Sequence, residues 1–262
     1  MEKRIHNPET GARLDYTPLP EAKGMVVVCP GGGYWFVSPR EAEPVARAFA
    51  EAEWQAFVLT YSVEDEVLGT KPLREAAWAV RTARDLGAVM GLSGKPLALC
   101  GFSAGGHLAA SLGVHWNDAA LFPDPEERER QRPDALILSY PVITDGLHRH
   151  PTSFERLAGE HGGTHYFSLE KHVDIGTPPA FLWHTAEDQT VPVQNSLRFA
   201  EALIEYGVPV EMHLYPFGVH GLSMATEEVA QPEEGRLVDP HVAGWFGLCV
   251  EWLDVLFGKE NE

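Results

Sequence analysis

Short runs of apolar, often β-branched residues alternate along this chain with longer stretches whose apolar positions recur every three or four residues. MVVVCP (25–30), QAFVLTY (55–61), PLALC (96–100), DALILSYP (134–141), PPAFLWHT (178–185) and PVEMHLYP (209–216) read as strands. Between the first two, Val45, Ala46, Phe49 and Ala50 keep helical spacing within 39–53. Residues 71–90 place Leu73, Ala76, Ala77, Val80 and Ala83 on one helical side, with Pro72 suited to the first turn. Further helices are predicted after residue 103, near 193–207 with Gly207 as C-cap, and over 242–257. Such alternation predicts one α/β domain over residues 1–262, a mostly parallel sheet with helices on both faces. Ligands of such sheets bind beyond the carboxyl ends of the strands, so chemistry is expected in the loops there.

Two stretches break the rhythm. Residues 116–133 mix acidic, basic and proline residues and read as a solvated excursion. Residues 144–177 carry many histidines and glycines with little periodicity and leave the carboxyl end of a strand. They are a candidate lid or substrate loop, with a plain surface insertion as the alternative.

Composition narrows the partners. Acidic residues outnumber basic ones 38 to 20, for a formal charge of −18, which repels nucleic-acid backbones and anionic membrane surfaces. A neutral small molecule suits that field better. The three cysteines, Cys29, Cys100 and Cys249, have no framework spacing, and the first residues lack an apolar leader pattern. A reducing, cytoplasmic setting is expected.

GFSAG at 101–105 follows a strand and opens a helix, the context that lifts a nucleophilic serine, here Ser103, onto a sharp turn. The backbone amide of Ala104 then faces the position of a developing oxyanion. PGGGY at 30–34 follows the first strong strand and brings the amides of Gly32 and Gly33 to the same place. It lacks the residues and spacing of a phosphate loop. His220, in FGVHGL, lies after the strand 209–216, where the order Ser…Asp…His puts the base; Asp188, in HTAEDQTVP, is the expected acid. Asp145, after the strand 134–141, is the alternative acid. His107, His184, His213 and His241 read as packed or surface residues. Tyr34 and Trp35, with Phe36, adjoin the glycine loop and are candidates to wall an acyl pocket or stack on a sugar, or are ordinary core aromatics. His148 and His150 raise a metal site, but no cysteine or carboxylate stands at ligand spacing, so neither metal nor organic cofactor is expected.

VVVCPGGGY, LCGFSAGGHLA, FLWHTAEDQTVP and YPFGVHGL together resemble the α/β-hydrolase superfamily over about 25–257. Within it, the chain looks like compact acetylxylan-esterase-like and hormone-sensitive-lipase-like carboxylesterases. It departs from the latter in having Pro30 where they have histidine before the glycines, which points toward the acetyl-sugar esterases. The short segment before Met25 implies that the first strands of such a sheet are brief or absent. The resemblance implies a serine esterase acting on short-chain, acetyl-type esters of carbohydrates through an acyl-enzyme. An amidase of the same fold, such as an aryl formamidase, and a non-catalytic hydrolase-fold binding module are the alternatives.

Overall fold

The computed structural model describes residues 1–63 and 66–258. One sheet of eight strands organises them, in the order β1-β2-β4-β3-β5-β6-β7-β8. The strands are β1 (Lys3–His6), β2 (Arg13–Tyr16), β3 (Gly24–Cys29), β4 (Trp54–Thr60), β5 (Leu97–Phe102), β6 (Ala135–Ser139), β7 (Ala180–Thr185) and β8 (Val210–Tyr215). From β4 to β8 every neighbouring pair is parallel, whereas β2 runs antiparallel to both β1 and β4. The leading strands are therefore present but only four residues each.

The apolar runs explain the layering. Along a strand, successive side chains point to opposite faces, and both faces are covered here. Val27, Leu99, Leu136 and Leu182 pack into one core with residues of α2 (Lys71–Val89), α3 (Ala104–His115) and α6 (Gln194–Glu205). Val26, Val28, Cys100, Ile137 and Phe181 pack into the other, with α1 (Glu43–Glu51) and the last helix (Trp245–Phe257). Two-sided burial is why these strands read as continuous apolar runs rather than alternating ones.

The chain leaves β3 toward β4 on one side and returns past it to β5 on the other, which makes the β3/β5 boundary the topological switch point. The glycine loop follows β3 and Ser103 follows β5, so both stand at that boundary.

Both irregular stretches contain structure. Within 116–133 lies α4 (Pro125–Gln131), started by Asp124, whose carboxylate accepts the amides of Glu126 and Glu127. It lacks an apolar stripe and buries only Gln131, which hid it from a periodicity reading. Within 144–177 lies α5 (Pro151–Ala158), which buries Ser153, Phe154 and Leu157, followed by two 3-10 turns. Among the described residues no helix is long and apolar enough to cross a membrane.

Candidate active site

Ser103 sits between β5 and α3 with φ 54° and ψ −118°, a conformation that costs a non-glycine residue about 1–3 kcal/mol. The surroundings hold it there. Its amide donates to the Ser139 carbonyl at 2.9 Å, and its own carbonyl accepts the amides of His107 and Val142 at 3.0 and 3.1 Å. The turn also needs Gly105, because a Cβ there would stand 2.0 Å from the carbonyl oxygen of Cys29. Helix α3 begins immediately after the serine, so its unpaired first-turn amides and positive dipole end lie at Ser103.

The loops after β7 and β8 bring the other two predicted residues to the serine. The Ser103 hydroxyl donates to His220 Nε2 at 2.8 Å, and His220 Nδ1 donates to Asp188 Oδ2 at 2.6 Å. Asp188 Oδ1 accepts the amides of Thr190 and Val191, each at 2.9 Å. Burial alone would raise the Asp188 pKa, but His184, His220 and their charge outweigh it and hold the carboxyl well below its ordinary range. An edge-on Tyr140 ring, 5.0 Å between centroids, backs the His220 imidazole.

His184 is fully buried in β7, as its strand pattern suggested, yet it is not mere packing. Its Nε2 donates to the Val191 carbonyl at 2.9 Å and stands 3.3 Å from Asp188 Oδ2, while Nδ1 accepts the Ser196 hydroxyl at 2.8 Å. It steadies the loop that carries the carboxylate. Its position four residues before Asp188 was the available signal.

The glycine loop closes as a tight turn, with the Gly32 carbonyl accepting the amides of Trp35 and Phe36 at 2.9 and 3.2 Å. Gly32 has φ +130°, and a Cβ there would lie 2.0 Å from the Phe36 carbonyl oxygen. Glu41, which the sequence reading did not single out, fastens this loop. One of its oxygens accepts the Gly31 amide at 2.8 Å and the other the Tyr140 hydroxyl at 2.6 Å. Tyr140 in turn accepts the Ser223 amide at 2.9 Å, on the loop that carries His220. In the sequence Glu41 is one of several acids in 39–53, with nothing to set it apart.

Gly32, Gly33, Ser103 and His220 border a cavity of about 680 Å³. Trp35 and Phe36 form one wall and remain largely exposed, with the Arg156 guanidinium 4.8 Å above the Trp35 ring. Tyr34 corrects an expectation: its ring is 1% exposed, turned away from this cavity, and its hydroxyl donates to His107 Nδ1 at 2.9 Å. A positive φ of 61° swings it into the core beside Tyr61. His107, whose Nε2 donates to the Phe167 carbonyl at 2.8 Å, is buried and pushed down to about 4 by desolvation.

Asp145 stands elsewhere. It is held by Lys171, Ser168 and Thr164, which overcome the effect of burial and lower its pKa to about 2. From the irregular 144–177 stretch, His150 and Thr152 do reach the cavity wall. Burial and the His220 charge both lower the His150 pKa. His148 and His150 form no metal-holding cluster; among the described residues no group of three or more His, Cys, Asp or Glu side chains does.

A model of the α/β-hydrolase fold matches residues 26–224, and the chain belongs to that family. Endo-1,4-beta-xylanase B of Butyrivibrio fibrisolvens is 41% identical over 213 residues, 79% of this chain and 33% of that protein. An acetylxylan esterase of Xylanibacter ruminicola is 29% identical over 216 residues, 79% of this chain and 42% of the esterase. The chain thus spans less than half the length of these two relatives. Among solved structures, the acetyl ester-xyloside bifunctional hydrolase of Caldicellulosiruptor lactoaceticus superposes with a TM-score of 0.82 at 35% identity, covering 95% of this chain and 89% of that one.

Proposed function

We propose that this chain is a serine carboxylic ester hydrolase that removes short acyl groups, acetyl foremost, from carbohydrate esters. The observation that carries the proposal is the unbroken line from the Ser103 hydroxyl through the His220 ring to the Asp188 carboxylate, 2.8 and 2.6 Å, beside the Gly32–Gly33 turn. The acetylxylan esterase and the acetyl ester-xyloside hydrolase among its relatives support acetylated sugars as the substrate class.

This geometry supports a two-step acyl-transfer reaction. Ser103 Oγ attacks the ester carbonyl as His220 Nε2 takes its proton, and Asp188 stabilises the resulting imidazolium. The carbonyl oxygen, now negative, is met by the amides of Gly32, Gly33 and Ala104. Each such donor is worth about 2.7–4 kcal/mol in the transition state. The imidazolium protonates the leaving alcohol. Water, deprotonated by His220, then attacks the acyl-serine and releases the short acid. No step calls on a metal or organic cofactor, and the partner is a small ester.

The three cysteines are buried and unpaired, which supports the cytoplasmic setting for this chemistry.

The test compares kcat/KM on acetylated xylo-oligosaccharides, aryl acetates and N-formylkynurenine. Acetylated oligosaccharides are expected to be turned over best. A preference for the formamide would replace the proposal with an amidase, and no turnover of any of them would favour a non-catalytic binding module.

A further inference from the structure

We infer that the hairpin Gln231–Arg236, together with Arg40, is the alcohol-side subsite of the cavity and takes a neutral, hydroxyl-rich sugar. This rests on the ester-hydrolase proposal, because the direction of the leaving group comes from it. The departing oxygen must collect its proton from His220 Nε2, so the alcohol portion lies on the histidine's side of the cavity. That side is built by these residues. Arg236 Nε donates to the His220 carbonyl at 3.1 Å, and Arg40 Nη1 donates to the Gly221 carbonyl at 3.0 Å. Both arginines, Gln231 and Glu234 line the cavity.

The hairpin is a made structure, not a stray loop. Gln231 and Arg236 exchange backbone hydrogen bonds of 2.9 and 3.1 Å around the 3-10 turn Pro232–Glu234, and Gly235 closes it with φ +74°. Its polar groups are arrayed against one another: Arg236 Nη1 donates to Gln231 Oε1 at 2.6 Å and to Glu234 Oε2 at 2.5 Å.

The chemistry of this wall selects its ligand. Arg236 is ion-paired with Glu234, while Arg40 donates to the Val229 and Gly221 carbonyls beside Glu41, whose carboxylate is committed to Gly31 and Tyr140, so the two cations and two acids of this wall leave no net charge. Trp35 lines the same cavity and is 66% exposed, with the Arg156 guanidinium over one face of its ring. An aromatic ring and a polar wall lining one cavity fit a pyranose, which has an apolar face and a rim of hydroxyls. The space also points this way, since about 680 Å³ far exceeds what an acetyl group fills.

The test uses Gln231→Ala and Glu234→Ala, singly and together. Glu234 is exposed and Gln231 half-buried, and both substitutions leave the backbone bonds between 231 and 236 in place. The readout is the ratio of kcat/KM for an acetylated xylo-oligosaccharide to that for p-nitrophenyl acetate, whose alcohol has no sugar hydroxyls. The ratio is expected to fall about tenfold in the double variant, chiefly through KM. Unacetylated xylotriose should also inhibit p-nitrophenyl acetate hydrolysis competitively in the wild type and several-fold more weakly in the double variant. An unchanged ratio and unchanged inhibition, in a wild type that does deacetylate the sugar, overturn the subsite and leave the esterase proposal intact. A wild type that cleaves p-nitrophenyl acetate but neither deacetylates nor binds the sugar overturns the carbohydrate proposal itself.

Discussion

The carboxylate of Glu41 accepts the hydroxyl of Tyr140 at 2.6 Å, a bond between the loop after β3 and the loop after β6. Through it, two elements of the candidate site are joined. Glu41 also holds the Gly31 amide, and Tyr140 holds the Ser223 amide while its ring backs His220. Removing the acid orphans two buried donors, each worth about 1–3 kcal/mol. Glu41→Ala is therefore expected to lower the melting temperature and to reduce kcat by about 10- to 100-fold, with KM changed little. Tyr140→Phe, which leaves Glu41 its amide partner, should cost less in both. Steady-state kinetics with thermal melts on the two variants checks this.

Asp188 makes an acid-side prediction. Its folded pKa is depressed, so its contribution to stability is complete above the unfolded value of about 3.9 and is lost as pH falls through the lower folded value. Denaturant unfolding of the wild type and Asp188→Asn should show their largest difference at neutral pH, with the gap narrowing below about pH 4. The same substitution is expected to lower kcat by about 10⁴-fold, because asparagine favours the wrong imidazole tautomer. A gap that widens on acidification would contradict the assigned partners of Asp188.

Neighbouring aromatics of the glycine loop should behave in opposite ways. Tyr34→Phe removes the donor to the buried His107 ring and is expected to cost about 1 kcal/mol of stability with kcat/KM hardly altered. Trp35→Ala, at the open wall, is expected to leave stability within about 0.5 kcal/mol and to raise KM for sugar esters several-fold. Melting curves and KM values for the pair decide it.

These contrasts show what could be read from the chain alone. The two-sided apolar runs announced a parallel sheet, and the order of GGG, GFSAG, Asp188 and His220 along it pointed to one end of that sheet, where the structure brings them together. The orientation of a ring was out of reach: adjacent Tyr34 and Trp35 look alike in sequence, and only the φ of 61° at Tyr34 turns it inward. Glu41 was hidden because it acts through Tyr140, ninety-nine residues away in the chain, and a lone acid carries no spacing. His184 left one sign, its place four residues before Asp188, but nothing in the strand pattern separated that from ordinary packing. The hairpin 231–236 is held mainly by backbone bonds and an arginine's contacts, so it left no apolar pattern. Helix α4 did leave a sign, Asp124 followed by Pro125 and two glutamates, a cap without a stripe.

The central claim is that Ser103 is the nucleophile, and active-site labelling with a fluorophosphonate followed by peptide mass spectrometry tests it most directly. The account predicts one adduct, on the peptide containing Ser103, lost together with p-nitrophenyl acetate turnover in Ser103→Ala. An adduct on a different residue, or turnover that survives that substitution, would contradict it.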